Sequence, residues 1–325
     1  MSFEKVIEVA QNDPFLKLNH TCLRVKDPKI SVSFYEEKFG MKLLNRKDFP
    51  DMKFSLYFLT FTNDNNNNKK IIPKDGNGNL NPFSIQGTLE LTHNWGTESD
   101  PDYKVNNGNI EPYRGYGHVA FTTNDIESEC KRLESIGVDF KKKLTDGRQK
   151  NIAFVLDPDG YWIELVQYDT SNASNKDLTG YRFNHTMIRV KDPVKSVNFY
   201  ENVLGMTTLM KSEHANAKFT NYFLGYHKPT DDRLSLEGII ELTHNWGTEN
   251  DEDFHYHNGN DKPQGYGHIC ISLKNPAELC KAIEETYGDE ITWAPKWNQG
   301  KMKNLAFLRD PDGYSIEVVP EDLIL

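Results

Sequence analysis

The sequence has 325 residues, of which 37% are hydrophobic and 26% are charged, and this size and composition predict two globular domains. Its formal net charge of -10 at pH 7 excludes the broad positive field with which nucleic acids and anionic membranes are bound. We therefore expect no nucleic-acid partner, and because no run of 18 apolar residues exists we expect no membrane span. The four cysteines form no CxxC pair, which predicts a reduced protein in the cytoplasm.

The first predicted elements are an N-terminal helix or arm over residues 1–17 and a strand, "HTCLRV", that begins at His20. The segment "PKISVSFYEEKFG" after Asp27 has apolar residues at helical spacing and ends on a glycine, which predicts a helix. Three more strands follow, "KLLNRKDF", "FSLYFLTF" and "GTLELTHN". An Asn-rich loop is predicted before the last of them, over about residues 63–84.

The same order of elements then starts again. A strand "GHVAFTT", a helix "IESECKRLESIG" and strands ending in "AFVLDPDGYWIELVQY" complete a second module, and a polar linker covers residues 171–182. Beyond the linker "HTCLRVKDP" returns as "HTMIRVKDP", and "LELTHNWGTE" returns as "IELTHNWGTE" with a single exchange. The chain is thus predicted to be a tandem duplication, with copy 1 at residues 18–170, copy 2 at residues 183–325, and two modules in each copy.

Each of the four modules has a histidine at the start of its first strand and a glutamate inside its last strand. They are His20, His118, His185 and His268, and Glu90, Glu164, Glu241 and Glu317. A single such glutamate is explained equally well by a solvated strand face, and a single such histidine is more often structural. Four of each in equivalent places favour metal binding. A set of two histidines and two glutamates suits Zn²⁺ or another divalent ion, and the lack of cysteine favours a catalytic over a closed structural site.

These motifs resemble glyoxalase I of the vicinal oxygen chelate superfamily, in its fused, two-copy fungal form. The resemblance rests on "LELTHNWGTE", "GYGH" and "DPDGYWIEL" and covers nearly the whole chain. It implies an α+β fold in which four βαβββ modules pair into two eight-stranded, partly open barrels, module one with four and module two with three. It also implies one metal site at His20, Glu90, His268 and Glu317 and another at His118, Glu164, His185 and Glu241, each with Zn²⁺ or, as an alternative, Ni²⁺.

The resemblance further implies a monomeric lyase of methylglyoxal detoxification. It would isomerise the hemithioacetal of methylglyoxal and glutathione to S-lactoylglutathione through an enediolate. Glu317 and Glu164 would be the bases, with Glu90 and Glu241 as partner carboxylates. The glutathione contacts carried over by motif are Arg24, Asn94, Arg114, Arg148, Arg189, Asn245, Lys301 and Met302.

The two sites are not expected to be equivalent, because Gln264 in "PQGYGH" stands where copy 1 has Arg114 in "YRGYGH". Glutamine makes no charged bidentate contact with a carboxylate. We therefore expect tighter binding of glutathione conjugates at the site that contains His185.

Two alternatives have different ligand requirements. An extradiol dioxygenase of the same superfamily would hold Fe(II) with two histidines and one carboxylate, and the four predicted ligands per site argue against it. A metal-free binding or sequestration protein would share the fold without needing the repeated histidines and glutamates.

Overall fold

The computed structural model describes residues 4–62, 70–147, 149–171, 175 and 178–325. The helices are α1 Glu4–Asn12, α2 Pro28–Phe39, α3 Ile126–Ser135, α4 Pro193–Asn198 and α5 Pro276–Tyr287. The strands of copy 1 are β1 Lys17–Arg24, β2 Lys42–Phe49, β3 Phe54–Thr60, β4 Thr88–Asn94, β5 Tyr116–Thr123, β6 Phe140–Lys142, β7 Ile152–Leu156 and β8 Trp162–Gln167. Those of copy 2 are β9 Arg182–Val190, β10 Thr207–His214, β11 Phe219–Gly225, β12 Ile239–Asn245, β13 Tyr266–Leu273, β14 Thr292–Trp293, β15 Ala306–Arg309 and β16 Ser315–Pro320.

The strands form two eight-stranded sheets, and each sheet contains strands of both copies. One has the order β14-β15-β16-β13-β1-β4-β3-β2 and the other β10-β11-β12-β9-β5-β8-β7-β6. The two modules of each sheet meet in an antiparallel pair, β1 with β13 and β5 with β9. The predicted fold class is confirmed, and the pairing of module one with four and module two with three follows directly from these strand orders.

Local sequence explains where the helix of the first module begins and ends. The Asp27 side chain accepts a hydrogen bond from the backbone N–H of Lys29 at the N-cap, and Pro28 occupies the first turn, where no N–H is needed. Gly40 ends the helix with φ 74°, a left-handed conformation that glycine adopts without strain. The helix buries Tyr35 and Phe39 against the sheet and leaves its outer face to solvent.

Residues at equivalent places of the two copies touch each other in the middle of the molecule. The hydroxyls of Thr21 and Thr186 lie 2.5 Å apart, and the rings of Tyr116 and Tyr266 stack with centroids 5.2 Å apart. Contact between equivalent residues is the mark of a two-fold axis. The duplicated chain therefore has the geometry of a dimer joined into one polypeptide.

The N-terminal segment docks on copy 2. Helix α1 buries Val6 and Ala10, and the Asp13 carboxylate accepts hydrogen bonds from the backbone N–H groups of Lys274 and Asn275, just before α5. In the part of the chain that the structure describes, no helix has the length and apolar character needed to cross a membrane.

The predicted Asn-rich loop is only partly covered by the structure, since residues 63–69 lie outside the described ranges. The described part of this copy 1 loop makes hydrogen bonds to copy 2. Lys70 Nζ lies 2.7 Å from a carboxylate oxygen of Glu237 in copy 2, and Asn81 Nδ2 donates to the backbone carbonyl of Glu321 at 2.9 Å.

Candidate metal centres

The four central strands of each sheet bring a pair of histidines and a pair of glutamates together. In the first sheet the strands β16, β13, β1 and β4 lie side by side, and in the second the strands β12, β9, β5 and β8 do. The first cluster, called the His20 site, contains His20, Glu90, His268 and Glu317. The second, called the His185 site, contains His118, Glu164, His185 and Glu241. The structure thus assembles the eight predicted ligand residues into the two predicted sets of four.

The ligand-type atoms of each cluster lie within 4.8 Å of one another. In the His20 site, His20 Nε2 is 3.1 Å from Glu90 Oε2 and 3.5 Å from Glu317 Oε2, and His268 Nε2 is 3.5 Å from Glu317 Oε2. In the His185 site, His185 Nε2 is 2.9 Å from Glu241 Oε2 and 3.3 Å from Glu164 Oε2. His118 Nε2 lies 3.6 Å from both of these carboxylates.

The histidines lower the pKa values of Glu90, Glu164 and Glu241 and so favour their charged forms. Burial disfavours the ionised form of Glu90, but the hydrogen bond and charge of His20 outweigh it and lower the pKa of Glu90 to about 2. The same balance, with His118 and His185 as partners, lowers the pKa of Glu164 to about 2. Burial likewise disfavours the charged form of His118, yet the two facing carboxylates raise its pKa to about 9. The clustered carboxylates thus favour a positive charge among them, which either a protonated imidazole or a bound metal ion can provide.

The donor atoms fit a divalent metal ion. Nε2 of His118 and Nε2 of His185 are buried at ion-pair distance from the carboxylate oxygens, but none of these contacts has the alignment of a regular hydrogen bond. A buried polar atom without a partner is costly, and a metal ion bound among these groups would engage both nitrogens. Two imidazoles and two carboxylates are a set that Zn²⁺ and similar ions accept.

Two asparagines that sequence reasoning missed fix the orientation of the imidazoles. Asn19 Oδ1 lies 2.6 Å from His20 Nδ1, and Asn184 Oδ1 lies 2.7 Å from His185 Nδ1. In each case the ring is held so that Nε2 faces the cluster, a common second contact of metal-binding histidines. The sequence signal for these asparagines is the repeated triplet "NHT", in which each asparagine directly precedes its histidine.

Aromatic rings pack around the imidazoles of both clusters. His20 has the ring of Phe58 at 5.8 Å between centroids, and His185 has the ring of Phe223 at 5.6 Å. His118 packs edge-on against Phe154, and His268 packs edge-on against Phe307. These contacts restrict ring rotation and keep the ligand atoms in an apolar surrounding.

The predicted glutathione contacts are distributed unequally. Arg114, Arg189 and Asn245 line one cavity of about 470 Å³ together with the His185 site. Arg24 belongs to the His20 side and donates to the backbone carbonyl of Tyr266 and to Asn260 Oδ1. Asn94 ends β4. Lys301 is exposed, Met302 is half-buried near the His20 site, and Arg148 lies outside the described residues.

Comparison with known proteins agrees with this architecture. The model of the Glyoxalase/Bleomycin resistance protein/Dioxygenase superfamily matches the chain twice, over residues 17–165 and 182–318. Glyoxalase I of Saccharomyces cerevisiae is 63% identical over 320 residues, which cover 98% of this chain and 96% of the relative. Lactoylglutathione lyase of Schizosaccharomyces pombe is 50% identical over 312 residues, which cover 94% of this chain and 96% of the relative.

Among solved structures, glyoxalase I from Zea mays is similar with a TM-score of 0.70 at 26% identity, covering 94% of this chain and 92% of the maize chain. Identity and coverage of this extent, with two matches to one family model, exceed what a shared fold alone would produce. The chain therefore belongs to the glyoxalase I family of the glyoxalase/bleomycin resistance protein/dioxygenase superfamily.

Proposed function

We propose that this chain is a lactoylglutathione lyase, which isomerises the hemithioacetal of methylglyoxal and glutathione to S-lactoylglutathione and so detoxifies methylglyoxal. The observation that carries the proposal is the cluster of two histidines and two glutamates, built twice from both copies of a glyoxalase I family chain. The alternative of a metal-free sequestration protein leaves these buried clusters unexplained, and no feature of the described residues favours it.

The family implies a divalent metal at each site, and we infer that the ion is Zn²⁺, with Ni²⁺ as the alternative. His20, Glu90, His268 and Glu317 would hold one ion, and the four residues of the His185 site would hold the other. When bound, the ion polarises the substrate carbonyl and offsets the negative charge that develops on its oxygen, an effect of several kcal/mol.

We assign the proton transfer to Glu164 and Glu317. The side chain of Glu164 is 12% exposed and that of Glu241 is 6%, while Glu317 is 11% exposed and Glu90 is 4%, so the assigned base faces the cavity more openly in each site. The carboxylate removes the proton from C1 of the hemithioacetal, and the electron pair of that bond forms the enediolate. Return of a proton to C2, while C1 becomes the thioester carbonyl, completes the isomerisation.

The test is a double variant, Glu164→Gln with Glu317→Gln. Glutamine keeps the size and one oxygen of the side chain but has no basic carboxylate, so we expect turnover of the methylglyoxal hemithioacetal to fall at least about a hundredfold while most of the metal is retained. Thioester absorbance measures turnover, and elemental analysis measures metal. Turnover equal to that of the unmodified protein would refute the assignment of the bases.

We propose that the glutathione part of the substrate binds beside the arginines. Arg114 and Arg189 line the cavity of the His185 site, and Asn245 donates to the Tyr256 hydroxyl there at 2.9 Å. Arg114 pairs with Glu111, and Arg189 is held by the carbonyl of Tyr116 and by Asn109 Oδ1, as Arg24 is held on the other side. Charge-assisted bonds to the two glutathione carboxylates would follow. At the His20 site Gln264 takes the place of Arg114, and its side chain donates to the backbone carbonyl of Asn260. The loss of this positive charge supports tighter glutathione binding at the His185 site.

We also infer a monomer in the cytoplasm, because the interface that a two-chain relative would form between subunits lies inside this chain. Support comes from the self-contact of equivalent residues, such as Thr21 with Thr186. The four cysteines are free and buried, which fits a reducing compartment. The domain boundaries and the linker at residues 171–182 stay a proposal, since residues 172–174 and 176–177 lie outside the described ranges.

A further inference from the structure

A half-buried arginine in the His185 cavity, Arg233, interacts electrostatically with Glu241 and Glu164, yet two of its donor atoms make no hydrogen bond. Nε and Nη1 of Arg233 are shielded from solvent and have no hydrogen-bond partner. The guanidinium lies 3.9 Å from the centroid of the Phe223 ring, and Arg233 lines the cavity of about 470 Å³. A buried cation without partners is unfavourable unless a ligand supplies acceptors. The side chain therefore points to a ligand group that accepts hydrogen bonds.

The backbone places Arg233 on one side of the His185 site and Arg189, a proposed glutathione contact, on the other. Asn184 Nδ2 donates to the carbonyl of Arg233 at 2.7 Å, and Asn184 immediately precedes His185. Arg189 is four residues further along the same strand, which is about 13 Å at the usual rise of a β-strand. A substrate whose peptide part reaches Arg189 would thus extend its other end toward Arg233.

In the His20 site the position equivalent to Arg233 is apolar instead of charged. Asn19 Nδ2 donates to the carbonyl of Pro82 at 2.8 Å, the bond that Asn184 makes to Arg233, so Pro82 is the structural equivalent of Arg233. Leu56 occupies the strand position that Asn221 occupies in copy 2, because Leu56 pairs with Thr92 and Asn221 pairs with the equivalent Thr243.

Further apolar groups surround the His20 site. Phe83, Leu305 and Leu323 form a buried cluster there, and Met302 and Leu325 pack against it. The corresponding face of the His185 cavity instead includes polar side chains, among them Gln149. The two sites thus have the same four ligand types but differ in polarity next to them.

We propose that Arg233 makes the His185 site selective for 2-oxoaldehydes whose side chain ends in an anionic group such as a carboxylate, whereas the His20 site selects apolar side chains. The inference rests on the proposed function. A guanidinium forms charge-assisted hydrogen bonds with a carboxylate, and Nε and Nη1 of Arg233 are buried donors without a partner that are free to make them. In the His20 site the same carboxylate would be desolvated among Pro82, Phe83 and Leu323 without a donor from these side chains.

The experiment compares two hemithioacetals that differ in one carboxylate, those of phenylglyoxal and of 4-carboxyphenylglyoxal with glutathione. Glu317→Gln leaves only the His185 site active, and Glu164→Gln leaves only the His20 site. The ratio of kcat/KM for the carboxylated over the plain substrate should be at least about tenfold higher at the His185 site. Arg233→Met in the Glu317→Gln protein should lower this ratio about tenfold or more, and Arg233→Lys should lower it less.

Lys211→Met is the matched control, because Lys211 is an exposed cation of copy 2 that pairs with Glu213 outside the cavity. This control should leave the ratio as it is. Equal ratios at the two sites, or a ratio that does not respond to Arg233→Met, would overturn the proposal.

A binding measurement separates this proposal from the proposed function. S-benzylglutathione and S-(4-carboxybenzyl)glutathione are titrated into the metal-loaded protein by calorimetry, with and without Arg233→Met. We expect the substitution to weaken the carboxylated compound selectively at one of two sites. Absence of turnover with the methylglyoxal hemithioacetal, together with this selective weakening, would refute the lyase activity alone, whereas turnover without the selective weakening would refute the role of Arg233 alone.

Discussion

At the scale of single residues, the orientation of the metal-binding imidazoles depends on neighbours that are not ligands themselves. Asn184 accepts the Nδ1–H of His185, and its amide donates to the carbonyls of Arg233 and Leu236. Asn19 does the same for His20. Loss of such an orienting group typically weakens metal binding 10- to 100-fold.

We therefore predict that Asn184→Ala lowers the Zn²⁺ affinity of the His185 site by about 10- to 100-fold and leaves the His20 site unchanged. Titration with a chromogenic chelator measures this, and one of two ions should leave at lower chelator concentration. Asn184→Asp, which keeps the accepting oxygen, should retain most of the affinity. If both ions leave at the chelator concentration of the unmodified protein, the orienting role is wrong.

Repetition in the sequence explains which site residues were predicted and which were not. The histidines and glutamates stand in four equivalent places, so repetition identified them, and the family resemblance implied their division into two sets of four. Arg233 has no counterpart, because Pro82 occupies its place in copy 1, and an argument from repeated residues cannot detect a residue that occurs once. The burial of its donors became evident only when the strands were assembled.

At the scale of elements, a buried tyrosine ties the helix of one module to the turn of the next. Tyr35 on α2 donates to Asp157 Oδ2 at 2.9 Å, and Tyr200 donates to Asp310 Oδ2 at the same distance. Burial, with the charge of Asp159, raises the pKa of Asp157 from 3.8 to about 7. The tyrosine bond acts in the other direction and stabilises the ionised form.

We predict that Tyr35→Phe destabilises the protein by about 1–3 kcal/mol, with a larger loss at pH 8 than at pH 6. A raised folded pKa means that the folded state binds the proton more tightly, so the free energy of unfolding falls as the pH rises from about 4 to about 7. Removing a donor that favours the carboxylate raises the folded pKa of Asp157 further, so the fall continues to higher pH and the total loss is larger at pH 8.

Denaturant unfolding at the two pH values, with metal chelated, measures the effect. Tyr200→Phe should behave in the same way, and Tyr113→Phe on an exposed side chain is the control. A loss that is equal at both pH values would contradict the link to Asp157.

The helices show where prediction from the repeat ends. The repeated sequence predicts the same helix after "KDP" in both copies. In copy 1 this helix, α2, is continuous from Pro28 to Phe39. In copy 2 helix α4 stops at Asn198 and a wider π-helical turn, Phe199–Val203, follows. The N-terminal helix lies against this region, and a Cβ on Gly205 would come within 2.6 Å of Ala10 Cβ. A segment outside the repeat thus packs against this helix of copy 2, which the comparison of the copies could not foresee.

At the scale of the whole molecule, the two copies exchange modules across the two-fold axis, so neither copy contains a complete site. Copy 1 without copy 2 would expose the edges of β1 and β5 that now pair with β13 and β9. Copy 2 without copy 1 would expose the matching edges of β9 and β13. Unpaired strand edges favour association with an equivalent edge. In copy 1 alone, β1 of one molecule can pair with β5 of another in the arrangement that β1 and β13 have here.

We therefore predict that residues 14–170, expressed alone, form a homodimer with two metal sites, each with His20 and Glu90 from one molecule and His118 and Glu164 from the other. Light scattering should give twice the mass of the fragment, and elemental analysis should give about one metal ion per fragment, because two-fold symmetry makes both sites alike. His118→Ala should remove the metal but keep the dimer, since strand pairing rather than the ion holds the molecules together. A monomeric fragment without metal would show that the fused arrangement depends on residues of copy 2 that copy 1 cannot replace.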